Sequence, residues 1–264
     1  MSLSLAWDPM FRLPLLTGLL LAVALPLLGA GLRLREQWLS SLGVAQMAAA
    51  GGVAGVLLHA PVIAGALLGA LLAGAARMLA GAARNEHYAL MLLAGWAGVM
   101  LLAMHGHEAQ MAAVHLLNGQ LYFSSPAQFG AASLLVVLVL LSGRWLSRRL
   151  LQARLFPDHF RANRQPAWPH ELGFEALVVG AIVLGIGTLG VMATFGMIFL
   201  PPWIAFRLAR GWLPALLLSV ALGVAACLAG FLLALGLDLP FGPTLVAVLA
   251  ALAPLRLWRR RAGI

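Results

Sequence analysis

The chain has 264 residues, 62% of them hydrophobic and only 9% charged, with a mean hydropathy of +0.97. A soluble domain carries about a quarter charged residues, so these figures exclude a water-facing globular enzyme, and so much apolar side chain excludes a disordered chain. Each bilayer crossing takes about 20 apolar residues, so the chain is predicted to be an all-α polytopic transmembrane helix bundle of about eight or nine spans. Little is left over for a soluble domain, and residues 1–264 are expected to form one transmembrane domain.

The apolar runs fall at 13–32, 38–58, 62–76, 88–104, 127–141, 174–191, 192–206, 212–235 and 241–255. Residues 1–12 lack a basic leader and a small-residue cleavage site, so the first run is expected to be a retained span. The run at 192–206 is short and holds Pro201-Pro202, which predicts a span or a broken, re-entrant helix lining a cavity. Between the fourth and fifth runs lies a polar stretch with His105, His107, Glu108, His115 and Asn118. Between the fifth and sixth lies the longest polar segment, 144–171. A short amphipathic helix after Pro157, with Asp158 in its first turn, is one reading of that segment; a solvated basic loop is the other.

Every basic residue is Arg: 17 of them against 8 acidic residues, a net charge of +9. With the N-terminus outside and nine spans, the loops on one side hold every Arg except Arg12. Cytoplasmic loops collect basic residues, which predicts an outside N-terminus and a cytoplasmic C-terminus. The same bias explains a pI near 11.6 without a nucleic-acid partner. Cys227 is the single cysteine and lies in an apolar run, so no intrachain disulfide is expected.

There is no GxxxxGK[ST], HExxH, GxSxG or CxxC. If ATP drives transport, the ATPase is therefore another polypeptide. The densest set of potential metal ligands is His105, His107 and Glu108, with His115 nearby; imidazole and carboxylate suit zinc, manganese or iron, although polar residues at an interface are the plainer reading. Polar groups inside spans are costly and mark candidate pathways. Gln46, beside Met47, is the foremost of these, whereas Thr188 and Thr194 are expected to bond a carbonyl one turn back. Glycines at 51, 55, 65, 69, 95 and 98 are expected to bring helix backbones together.

Residues 190–207, GVMATFGMIFLPPWIAFR, and 236–244, GLDLPFGPT, together with Leu117-Asn118-Gly119-Gln120-Leu121 and Ser125-Pro126, resemble the metal-type (zinc, manganese, iron) ABC transporter permease family in order and spacing. The second segment is similar to the family's turn into the last span, with Asp238, Pro240 and Gly242 at its motif positions. The resemblance implies the integral membrane subunit of a bacterial ABC importer in the cytoplasmic (inner) membrane. Its partners would be a second copy of the permease, an ATPase subunit carrying ATP and Mg, and an extracytoplasmic substrate-binding protein. No cofactor is expected in this chain, which is not expected to be an enzyme. The resemblance also implies an ATPase-coupling role for Phe156, Asp158, Phe160 and Arg161. Aligning Gly51 with the family's glycine puts Gln46 at its ligand histidine, Leu42 at its aspartate and Ala50 at its proline. The cargo is therefore expected to be a divalent metal ion passing weak sites, or a metal chelate. A secondary transporter or channel that needs no ATPase is the alternative reading.

Overall fold

The computed structural model describes residues 9–79, 85–155 and 168–261, and every regular element among them is a helix. In chain order these are α1 (Pro9–Leu34), α2 (Trp38–Leu57), α3 (Val62–Leu79), α4 (Asn85–Ala103), α5 (His107–Asn118) and a 3-10 turn (Leu121–Phe123). Then come α6 (Pro126–Leu155), α7 (Trp168–Thr188), α8 (Val191–Leu208), α9 (Trp212–Leu237), α10 (Phe241–Leu252) and a 3-10 segment (Ala253–Arg261). Seven helices are long and apolar enough to cross a bilayer, and Val62–Ala76 and Phe241–Leu257 are shorter apolar stretches. The seven and the two together agree with eight or nine apolar runs.

Two helices organise the packing. α1 contacts α6, α7, α8 and α9, while α2 contacts α3, α4, α5, α7 and α8. Glycine sets the closeness around α2. A β-carbon on Gly51 or Gly65 would overlap the other's backbone, and one on Gly69 would overlap the Met47 carbonyl, so α2 and α3 cross backbone to backbone. On the other side, a β-carbon on Gly95 of α4 would stand 2.6 Å from the Gln46 carbonyl carbon. Without a hydrophobic drive in lipid, such close contact supplies the dispersion that holds helices together.

Proline and glycine are paired across helices. Pro26, inside α1, has no N–H for the Ala22 carbonyl, and a β-carbon on Gly223 of α9 would lie 2.8 Å from that carbonyl oxygen and from the Pro26 ring. Pro202, inside α8, leaves the Ile198 carbonyl without its helical donor, and Gly29 of α1 sits directly against that oxygen. In each case a carbonyl released by proline meets the α-carbon of a glycine, where a Cα–H group can approach it. This is how a proline is accommodated away from water. α8 accordingly runs unbroken through Pro201-Pro202 for 18 residues, long enough to span; the broken-helix expectation does not hold.

Two polar stretches turn out to be helical. Residues 107–118 form α5 because Ala109, Ala113 and Leu116, at helical spacing, are buried against the bundle. Glu108 in the first turn and His115 in the last complement the helix dipole. The segment 144–171 is not one long loop: α6 continues to Leu155, with Leu146 and Leu150 buried one turn apart, and α7 starts at Trp168. Phe156, Asp158, Phe160 and Arg161 lie outside the described residues.

One end of the bundle gathers arginines onto aromatic rings. The Arg33 guanidinium lies 5.6 Å from the Phe206 ring, Arg35 5.1 Å from Phe174, and Arg256 3.8 Å from Trp203. Arg35 also reaches Glu175 at 3.8 Å, tying the end of α1 to α7. The α5 region lies at the opposite end.

Candidate substrate pathway

Gln46 is 1% exposed in the middle of α2, and its amide oxygen has no hydrogen-bond partner among the described residues. Gly95 presses on the backbone at Gln46 and Met47, so the side chain is fixed where α2 and α4 cross. An unmet buried amide costs about 1–3 kcal/mol. Leu42 and Ala50, on the same helix, are half-buried against the apolar core and offer no donor atom. Thr194 is also fully buried with its hydroxyl unpartnered, wedged against Gly185 of α7. It departs from Thr188, whose hydroxyl donates to the Leu184 carbonyl at 2.8 Å as expected.

The His105, His107 and Glu108 set does not close on one point. The His105 ring donates from Nδ1 to the Leu101 carbonyl at 2.9 Å, finishing α4, and His107 is exposed at the start of α5. Among the described residues no three His, Cys, Asp or Glu side chains converge as metal ligands would. Glu108 and His115 instead both line a half-open cavity of about 390 Å³. One face of α5 (Glu108, Met111, Ala112, His115 and Leu116, at intervals of three and four) forms its side. Val62 and Ile63 at the start of α3, Gln120, Gln128 at the start of α6, and Gly187 near the end of α7 complete it.

The motif segments meet beside this cavity. α9 ends at Asp238, which takes the left-handed conformation (φ 54°, ψ 45°), and Leu239 N–H donates to the Ala234 carbonyl at 2.9 Å. Asx residues tolerate that conformation better than most. Pro240 then precedes the first turn of α10 in extended geometry. Gly242, in that turn, lies against the Asn118 carbonyl, and a β-carbon there would stand 2.7 Å from the Leu189 oxygen. Gly119 (φ 79°) and Gly190 (φ 91°) fill the same junction, each with the other's backbone in the space of a side chain. Gln120 N–H donates to the Thr188 carbonyl at 2.9 Å. Three short motifs distant in sequence thus form one backbone junction joining α5, α7, α8 and α10. Sequence reasoning picked out Asp238, Pro240 and Gly242 but not their meeting with Gly119 and Gly190, which only the fold brings about.

Tyr122 plugs the junction from the 3-10 turn, its ring 5.5 Å from Phe231, 6.0 Å from Phe11 and 6.3 Å from Phe241. Burial, and secondly the nearby Asp238 charge, push its phenol up to about 12. The hydroxyl finds no partner among the described residues.

A bundle of long apolar helices, with an unpartnered amide oxygen at a helix crossing and a largely apolar cavity edged by a few polar side chains at one end, fits a membrane-embedded permease. The profile of the ABC 3 transport family matches residues 8–260, and the chain belongs to that family. It is the membrane subunit of an ABC transporter and not itself an enzyme. Among solved structures, it is similar to PsaBC from Streptococcus pneumoniae in complex with Fab, at 16% identity and a TM-score of 0.83, over 97% of this chain and 94% of that one. It is also similar to a chain described as an inward-facing metal-chelate type ABC transporter, at 17% identity and a TM-score of 0.73, over 93% and 85%. A comparison with curated proteins finds no match.

Proposed function

We propose that the chain is the permease of a bacterial metal importer in the inner membrane, working as a homodimer with a separate ATPase and an extracytoplasmic binding protein, and that its cargo enters as a metal chelate. The observation that carries the chelate reading is Gln46, which the resemblance aligns with the family's ligand histidine and whose buried amide oxygen is unpartnered among the described residues. With Leu42 at the aspartate position, the crossing of α2 and α4 holds a weak acceptor in place of two strong ligands. A bare divalent ion loses much hydration free energy there and regains little. An ion already wrapped by an organic chelator loses less. One of the two structural relatives is itself described as a metal-chelate type transporter, which supports the same reading.

The arginine-bearing end is assigned to the cytoplasm because basic residues are retained on that side. The cavity flanked by α5 then opens outward, where a binding protein would deliver cargo. The resemblance gives the ATPase-docking role to Phe156, Asp158, Phe160 and Arg161, in the loop between α6 and α7 that the arginine bias assigns to the cytoplasmic side. Closure of the ATPases on ATP would rock the bundle and alternate access.

Co-purification tests the assembly. The detergent-solubilised chain, co-expressed with the ATPase encoded beside it, is expected to emerge as a complex with two copies of each. Failure to retain any ATPase, with uptake surviving ATP depletion, would instead establish the secondary transporter or channel.

A further inference from the structure

We propose that the α5 cavity is a recognition site for a metal complex of a small amino-carboxylate chelator; this rests on the chelate reading above and names the place and chemistry of recognition. Three observations lead there. The first is size. At about 390 Å³ the cavity holds a small molecule, whereas a bare ion would need a fraction of it. The second is spacing. Glu108 and His115 are seven residues apart on α5, so their α-carbons stand about 10 Å apart along the axis, with Met111 and Ala112 on the turns between. One extended molecule can therefore reach both groups at once.

The third is the complement of polar groups. Glu108 is an acceptor for the N–H groups of a metal-bound amine. Gln120 and Gln128 carry amide donors suited to the chelator's carboxylates. His115 offers an imidazole nitrogen to an open coordination position on the ion or to a carboxylate. Met111, Leu116, Val62 and Ile63 provide the apolar wall. A hydroxycarboxylate such as citrate, rich in anionic oxygens and without N–H groups, suits the Glu108 end less well.

Gly187 makes the site testable. It lines the cavity, and a β-carbon built on it meets nothing within 4 Å, so a side chain there has room to start into the cavity. Gly130, on the neighbouring α6, also faces open space and does not line the cavity. The experiment measures radioactive zinc uptake by cells expressing the complete transporter, with zinc supplied as its histidine complex. Gly187→Leu is expected to reduce uptake of the complex about ten-fold or more while the assembled transporter is recovered in wild-type amount, with Gly130→Leu behaving as wild type. Glu108→Gln is expected to raise the concentration for half-maximal uptake of the complex about ten-fold, the loss of one charge-assisted hydrogen bond, at an unchanged maximal rate.

Normal uptake of the complex in Gly187→Leu would overturn the proposal. So would a loss of uptake in that variant matched by an equal loss of assembled transporter, or failure of the wild type to take up the complex. Total cellular zinc, manganese and iron, measured in the same cells, separates the two levels of inference. If the wild type raises one of these metals while the histidine complex is not carried, the cavity assignment fails and the importer reading stands. If it raises none, the importer reading fails.

Discussion

Replacing Gly29 by Ala tests the pairing of proline and glycine that seats α1 against α8. The new methyl would occupy the position of the Ile198 carbonyl oxygen, which is backbone and cannot rotate away. Overpacking of this kind costs about 1–3 kcal/mol. An ordinary helical Gly→Ala exchange gains about 1 kcal/mol, so the sign of the effect is informative. Pro202 is the reason the carbonyl reaches α1, because Ala at 202 restores the N–H that draws it back into α8. The double variant Gly29→Ala, Pro202→Ala is therefore expected to be more stable than the sum of the single changes, with a coupling of about 0.5–3 kcal/mol. Thermal unfolding of the detergent-solubilised protein, followed by the fraction that remains monodisperse, reads all four corners of the cycle. Additive effects, or a Gly29→Ala variant as stable as wild type, would refute the pairing.

Other consequences are simpler to state. Gln46→Leu removes the unmet amide and is expected to stabilise the bundle by about 1–3 kcal/mol while lowering transport; thermal unfolding beside cellular metal content checks both halves. Gln46→His supplies a metal ligand and is expected to raise uptake of the bare ion in a zinc- or manganese-starved host. Tyr122 has its phenol raised to about 12, so its neutral form is favoured by folding. Its contribution is complete below the ordinary tyrosine value near 10 and is lost as pH rises through the folded value. Tyr122→Phe, which drops only an unpartnered hydroxyl, is expected to keep neutral-pH stability and to flatten the fall between about pH 10 and 12. Phe156→Ala with Phe160→Ala is expected to leave membrane insertion intact and to uncouple ATP hydrolysis from uptake, read as hydrolysis no longer stimulated by the loaded binding protein.

The spans were legible because hydrophobic length is a local property: each run could be traced from its own residues, and the arginines sorted the loops between them. Gln46 could be singled out because an amide within an apolar helix is conspicuous. α5 could not be read in the same way. Its His, Gln and Glu residues suggest an exposed stretch, and only the bundle explains why Ala109, Ala113 and Leu116 turn inward. The α8 prolines suggested a break, because the glycine that accommodates the released carbonyl lies 169 residues earlier, at Gly29 against Ile198. The same is true of the junction of Gly119, Gly190 and Gly242. Each glycine stands in a turn, and its reason is another turn far away in sequence.

Cellular metal content, compared between cells with the gene, without it and with it restored, tests the importer function most directly. Growth in metal-limited medium followed by elemental analysis is expected to show at least one of zinc, manganese and iron falling on deletion and recovering on complementation, with recovery abolished when the partner ATPase is inactivated. Unchanged content of all three metals, or recovery that persists without the ATPase, would contradict it.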